Sequence, residues 1–446
     1  MSQLAAQALD QVKTEAGKSY SVITPDAQES MRIALSEFLV RLLLLQPDPG
    51  YMQQILSLCV NANSEMLHRL ELDRTEIESY FFEGHSCKEL SAIALDLSDR
   101  HSAGRSVAIL TFHSGLKVVY KPRETAIEEW YFQTLARFNQ ISAPLSFATL
   151  KVLSRPAYGW VQFIPHERCR CEVELRRYYQ NAGALLCVLH MLAATDCHFQ
   201  NLIASREHPV LVDAETLFQP EVADSESNSV LRTGMVPQWR FGPQGQAYDV
   251  SALGCVTPRS THFLAPKWHG TEIGFEVGVL VPRENVPFPV AGPFTPQSYV
   301  DEMVHGFAET YRFLAHHRQD LIAEISKAQC LRIRYLFRET VEYHEAIGER
   351  LRSKTGALAL KALPQSRAVF YALRQDELQA LEQLDIPRFT LPADSRHLCR
   401  VASCFRESGF AVALRLIKRL SEHDLEQQVS FLRLAWGMSR LASALP

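Results

Sequence analysis

Asp196, His198 and Asn201, followed by Asp213 and Glu215, are the residues whose types and spacing could do chemistry. They stand in the stretch LAATDCHFQNLIASREHPVLVDAETLF, residues 192–218. Asp, His and Asn at i, i+2 and i+5 cannot share one helix face, so a tight polar loop is their natural carrier. Pro209-Val210-Leu211-Val212 reads as a short strand that delivers Asp213 from a buried position. An Asp and an Asn in one loop, with a second Asp at a strand end, is how phosphoryl-transfer enzymes orient a hydroxyl nucleophile and hold magnesium. The plain alternative is a polar loop with scattered acids.

The elements that must position these residues are legible around them. Ser106 to Phe112 and Leu116 to Tyr120 are two apolar β-type runs around His113-Ser114-Gly115, a hairpin signal. The second runs into Lys121-Pro122-Arg123. Thr125 is placed to cap a helix from Ala126 to Phe138, with Glu128 and Glu129 in its first turn. A strand, a terminal lysine and a helix with early glutamates is the arrangement that holds ATP phosphates in a kinase small lobe. Taken alone, Lys121 reads equally as a surface lysine. Phe147 to Leu153 and Gly159 to Ile164 form a second hairpin, whose end would be the hinge of a two-lobed enzyme. Glu172 to Ala193 is a long helix leading into the polar loop. Further on, Arg332, Arg334 and Arg338 alternate along Leu331 to Thr340. In an extended run they would share one face, either solvated or able to bind phosphate.

Composition bounds the rest. The 446 residues, 47% hydrophobic and 22% charged, suit a soluble globular chain with ample core. A formal net charge of -4 gives no electrostatic case for nucleic acid or an anionic membrane. Ten cysteines without a small-domain framework fit reduced thiols and a cytoplasmic location. Cys169-Arg170-Cys171 is too tight for a zinc knuckle. Leu35 to Leu45 is too short to span a bilayer and reads as a buried helix. Residues 1–90 read as helical: Asp26 caps a helix from Ala27 to Gln46, stopped by Pro47 and Pro49, and Tyr51 to Val60 and Glu65 to Glu78 continue the pattern. Residues 219–294 are rich in Gly, Pro and Ser with no sustained period, as in a functional loop or lid. Thr295-Pro296 opens a helix to about His316, and Ser421…Asp424 forms a capping box.

The pieces DRHSAGRSVAILTF, KVVYKPR, TDCHFQN, HPVLVDAETLF, ENVPF, RIRYLFRET and LDIPRF together resemble the dehydratase domain of class II lanthipeptide synthetases, the LanM-type enzymes. They fall in the family's order across roughly residues 98–390. The resemblance implies an α+β fold: a lipid-kinase or protein-kinase-like two-lobed catalytic domain with additional helical elements. Residues 1–95 would be a helical N-terminal region, 96–165 the small lobe and 166–446 the large, mainly helical lobe. The last would hold an activation-type loop at 219–294 and an elimination segment at 331–343. It also implies phosphorylation of Ser and Thr of a ribosomally made precursor peptide from ATP. Elimination of phosphate would then leave dehydroalanine or dehydrobutyrine.

Carried over by motif, the phosphoryl-transfer group is Lys121, Asp196, His198, Asn201, Asp213 and Glu215. Lys121 would neutralise ATP phosphates, and Asn201 with Asp213 would hold Mg2+. Asp196 would orient or deprotonate the hydroxyl, while Glu215 could contact cofactor or metal or support a ligand. The elimination group is Asp99, His101, Arg334 and Thr340. A cation and a hydroxyl suit a leaving phosphate, and His101 paired with Asp99 could move a proton near neutral pH. Nothing after Thr340 supplies the zinc-cyclase ligands of a full synthetase, so a separate cyclase or leader-binding protein is an expected partner. The competing readings are a phosphotransferase without elimination and a non-catalytic ATP-binding scaffold.

Overall fold

The computed structural model describes residues 2–43, 49–85, 87–222, 228–241, 247–257, 259–268, 273–289, 294–338, 340–352, 370 and 373–443. The chain opens with α1 (Ser2–Ala16), α2 (Pro25–Leu43) and α3 (Pro49–Phe82). Helix α2 begins one residue before Asp26, and Thr24 caps it instead: its Oγ1 accepts from the Ala27 N–H at 3.3 Å. Asp26 lies in the first turn, where its charge still meets the helix dipole. The two helical runs read after Tyr51 are one 34-residue helix, because neither Gly nor Pro interrupts the polar residues between them.

A five-stranded antiparallel sheet follows, ordered β1-β2-β3-β5-β4. Its strands are β1 (Leu90–Ala94), β2 (Ala108–Phe112), β3 (Lys117–Lys121), β4 (Val152–Ser154) and β5 (Gly159–Gln162). The two-residue period of a strand divides these side chains between two cores. Leu110, Phe112, Val118, Tyr120 and Trp160 pack with α1, α2 and α3. Val119 and Val161 point to the other face and join a larger core. Lys121, two residues beyond Val119, therefore faces the same side as it. Helix α4 (Ala126–Gln140) follows β3. Thr125 holds its N-cap position, but its side chain makes no capping bond and its hydroxyl is buried without a partner.

The larger core is built around α5 (Glu172–Met191), whose last eleven residues are buried all round, as befits a helix with apolar side chains on every face. The hairpin β6 (Leu202–Ser205) and β7 (His208–Leu211) comes next. Residues 219–294, read as aperiodic, carry two antiparallel pairs: β8 (Trp239–Phe241) with β9 (Ala247–Asp249), and β10 (Arg259–Trp268) with β11 (Ile273–Leu280). Other parts of that span lie outside the described residues. Then come α6 (Val300–His316) and α7 (Arg318–Ser326). Strand β12 (Arg332–Tyr335) pairs antiparallel with β13 (Phe389–Pro392), with α8 (Thr340–Arg352) and α9 (Arg374–Glu382) between them in the chain. The chain closes with α10 (Gly409–Lys418) and α11 (Glu422–Ser443). The expected cap of α11 forms, Ser421 Oγ accepting from the Asp424 N–H at 3.2 Å. Helices with separate antiparallel sheets make this an α+β fold. No helix among the described residues is long and apolar enough to cross a membrane.

Candidate active site

The polar loop begins where α5 stops. Ala193 and Asp196 take positive φ, 51° and 60°, turning the chain away from the helix; Asp tolerates this region better than most residues. The loop closes on itself, with the Asn201 side-chain amide donating to the Asp196 carbonyl at 2.8 Å. His198 Nε2 stands 3.7 Å from Asp196 Oδ1. The Val212 N–H donates to the Asn201 carbonyl at 2.9 Å, and Thr216 Oγ1 donates to the Thr195 carbonyl at 2.7 Å. These bonds fix Asp213 and Glu215 beside the loop.

Lys121 reaches the same place from β3. Its Nζ lies 2.7 Å from Glu128 Oε2 in the first turn of α4 and donates to the Val212 carbonyl at 2.5 Å. Arg123, two residues on, ties the groups together. It meets Glu128 Oε1 at 2.5 Å, Asp213 Oδ1 at 2.9 Å and Glu215 Oε2 at 3.2 Å.

Glu215 is the hub. It is buried, and besides Arg123 it meets Arg334 Nη1 at 2.8 Å and Arg388 Nη2 at 2.7 Å. Burial opposes its charge, but Arg123, Arg388 and Arg334 overcome this and hold the carboxyl well below its usual range. Of the three alternating arginines only Arg334 enters the cleft. Arg332 turns to Thr390, and Arg338, beyond the end of β12, pairs with Glu377 at 2.6 Å. Arg338 leaves the expected common face because the strand ends at Tyr335.

Asp99 and His101 sit in the loop between β1 and β2. Asp385 anchors that loop by accepting from the Ala103 and Gly104 N–H groups. His101 Nδ1 donates to the Ile386 carbonyl at 2.7 Å. Burial and the adjacent Arg334 guanidinium push the His101 pKa down to about 4, so the ring is neutral at physiological pH. The expected pairing of Asp99 with His101 is not seen: Asp99 Oδ1 takes its hydrogen bond from His344 Nε2, at 2.9 Å. Burial raises the Asp99 carboxyl, yet His344, His101 and Arg334 together hold it below its ordinary value.

All ten sequence candidates line one cleft of about 1200 Å3. Thr340 enters it as the first residue of α8. Sequence reasoning left Arg123, Arg388, His344 and Asp385 unassigned. Arg123 and Arg388 stood inside motifs already singled out, KPR and LDIPRF. His344 follows Thr340 by four residues, the spacing of one helix face. Asp385, like Arg388, stood inside LDIPRF.

Among the described residues no group of three or more His, Cys, Asp or Glu is arranged to hold a metal ion. Asp213 and Asn201 offer one carboxylate and one amide oxygen, a donor set that suits magnesium shared with phosphate oxygens.

Residues 50–392 match the family described as Domain of unknown function (DUF4135), and the chain belongs to it. It is 24% identical over 393 residues to the lacticin 481/lactococcin biosynthesis protein LcnDR2 of Lactococcus lactis subsp. lactis. That alignment covers 80% of this chain and 42% of the relative, so the chain spans less than half of the relative's length. The likeness to class II lanthipeptide synthetases drawn from the motifs stands over that length.

Proposed function

We propose that the chain dehydrates Ser and Thr residues of a ribosomally made precursor peptide, by phosphorylation from ATP followed by elimination of phosphate. The observation that carries this reading is the meeting of both residue groups in one cleft, at Glu215. Lys121 and Glu128 form the strand-lysine to helix-glutamate pair that protein kinases use to place ATP phosphates, which supports a two-lobed, kinase-like reading of the fold. Val119, Val161, Phe163 and Ile203 give the cleft an apolar wall suited to a purine ring.

In the first step the peptide hydroxyl oxygen bonds to the terminal phosphorus and ADP leaves. Asp196 orients that hydroxyl and accepts its proton; Lys121 neutralises phosphate charge. Asp213 and Asn201 would hold magnesium, which supplies further neutralisation of the phosphates when bound. In the second step the Cα–H bond breaks, the Cα=Cβ bond forms and phosphate departs with the Cβ–O electrons. Arg334 and Thr340 offer a guanidinium and a hydroxyl to the departing oxygens.

The test is mass spectrometry of the lacticin 481 precursor peptide incubated with the chain, ATP and magnesium. Dehydrated peptide is expected from the wild type and unmodified peptide from Asp213→Asn. Dehydration at the normal rate by that variant would contradict the reading.

A further inference from the structure

We propose that His344, oriented by Asp99, is the base that removes the α-proton in the elimination step; this rests on the dehydratase reading above. Four imidazoles line the cleft among the described residues: His101, His166, His198 and His344. His101 spends its Nδ1–H on the Ile386 carbonyl and lies beside the Arg334 guanidinium, which disfavours a second proton. His166 bonds the Val286 carbonyl, and His198 belongs to the loop of Asp196. His344 differs from all three. Its Nε2 lies 2.9 Å from Asp99 Oδ1. An ionised carboxylate only accepts, so Nε2 carries the hydrogen, and in the neutral ring that leaves the lone pair on Nδ1. This is the carboxylate–imidazole arrangement that fixes a tautomer and ring direction for proton abstraction.

Placement agrees with that role. Thr340 and His344 are four residues apart on α8 and share its cleft face. A phosphorylated side chain whose phosphate meets Arg334 and Thr340 would bring its Cα toward the next helical turn. His344 Nδ1 takes the Cα proton, the C–H electrons form the Cα=Cβ bond, and phosphate leaves with the Cβ–O pair. The imidazolium then loses its proton to water, since the His344 side chain is 58% exposed. Asp99 is a positioning residue in this scheme.

The experiment uses the lacticin 481 precursor with one phosphoserine built in, ADP and magnesium, so that phosphorylation is bypassed. His344→Ala should lower kcat for elimination by about a hundred- to ten-thousand-fold, the usual contribution of a general base. Free imidazole should restore much of it, because the exposed position admits a small base. His344→Gln, which keeps bulk and a hydrogen bond, should be equally slow. Elimination at wild-type rate in either variant, or a loss that imidazole does not restore, overturns the assignment while leaving the dehydratase reading in place. Failure of the wild type to eliminate from this peptide overturns both.

Discussion

Glu215 Oε1 lies 2.8 Å from Nη1 of Arg334, joining residues 119 positions apart in the chain. The Arg334 N–H also donates to the Glu215 carbonyl, at 2.7 Å, so backbone and side chain lock the same pair. Because Arg123 and Arg388 share this carboxylate, it balances three guanidiniums in a buried place. Glu215→Gln should therefore cost about 3–5 kcal/mol, the usual penalty for leaving buried charge unpaired. Urea unfolding checks this; a loss below about 1 kcal/mol would mean the cluster is worth no more than a surface ion pair. Its folded pKa lies well below the ordinary 4.5, so this stabilisation is full above pH 4.5 and is lost as pH falls through the lower folded value.

His101 gives a second pH signature. Its ordinary pKa of 6.5 falls to about 4 in the folded chain. The folded state binds that proton less readily, so the contribution is full above pH 6.5 and disappears as pH drops toward 4. It amounts to about 3 kcal/mol. His101→Gln should flatten the fall in stability between these values, read as urea midpoints across pH. An unchanged slope would place the titration elsewhere.

Lys121→Met removes the ammonium held between Glu128 and the Val212 carbonyl. The KM for ATP should rise and the phosphorylation rate should fall by about a hundredfold or more, the scale seen when one charge-stabilising donor is removed. Single-turnover phosphorylation at saturating ATP separates the two effects. Unchanged kinetics would return Lys121 to a structural role.

Helices α5 and α6 approach backbone to backbone at two glycines. A Cβ on Gly183 would strike the Met303 carbonyl, and one on Gly306 the Gln180 carbonyl. Gly183→Ala or Gly306→Ala should destabilise by about 1–3 kcal/mol as the helices are forced apart. A melting curve that does not move would show that the crossing can widen freely.

Much of this arrangement was legible in the sequence. The loop from Asp196 to Asn201, the strand before Asp213 and the Lys121 strand end follow from local pattern, and the structure places them as read. What local pattern could not supply was partnership across the chain. Asp99 and His101 are two residues apart, which suggested a pair, yet loop anchoring by Asp385 and Ile386 turns His101 away and leaves Asp99 to His344. The three arginines of 332–338 alternate in sequence, but alternation predicts a common face only while the strand lasts. Arg388 joins Glu215 through the β12–β13 pairing, which no spacing announces.

The division of the cleft between two chemistries is the central claim, and Arg334→Ala tests it most directly. Peptide mass is followed over time with a Ser/Thr-containing precursor peptide, ATP and magnesium, scoring phosphorylated against dehydrated species. Removing a guanidinium aimed at the leaving phosphate should slow elimination by about a hundred- to a thousand-fold. Phosphopeptide should then accumulate while ATP is still consumed. Unmodified peptide would assign Arg334 to phosphoryl transfer, and dehydration at the wild-type rate would remove it from the chemistry; either result contradicts the account.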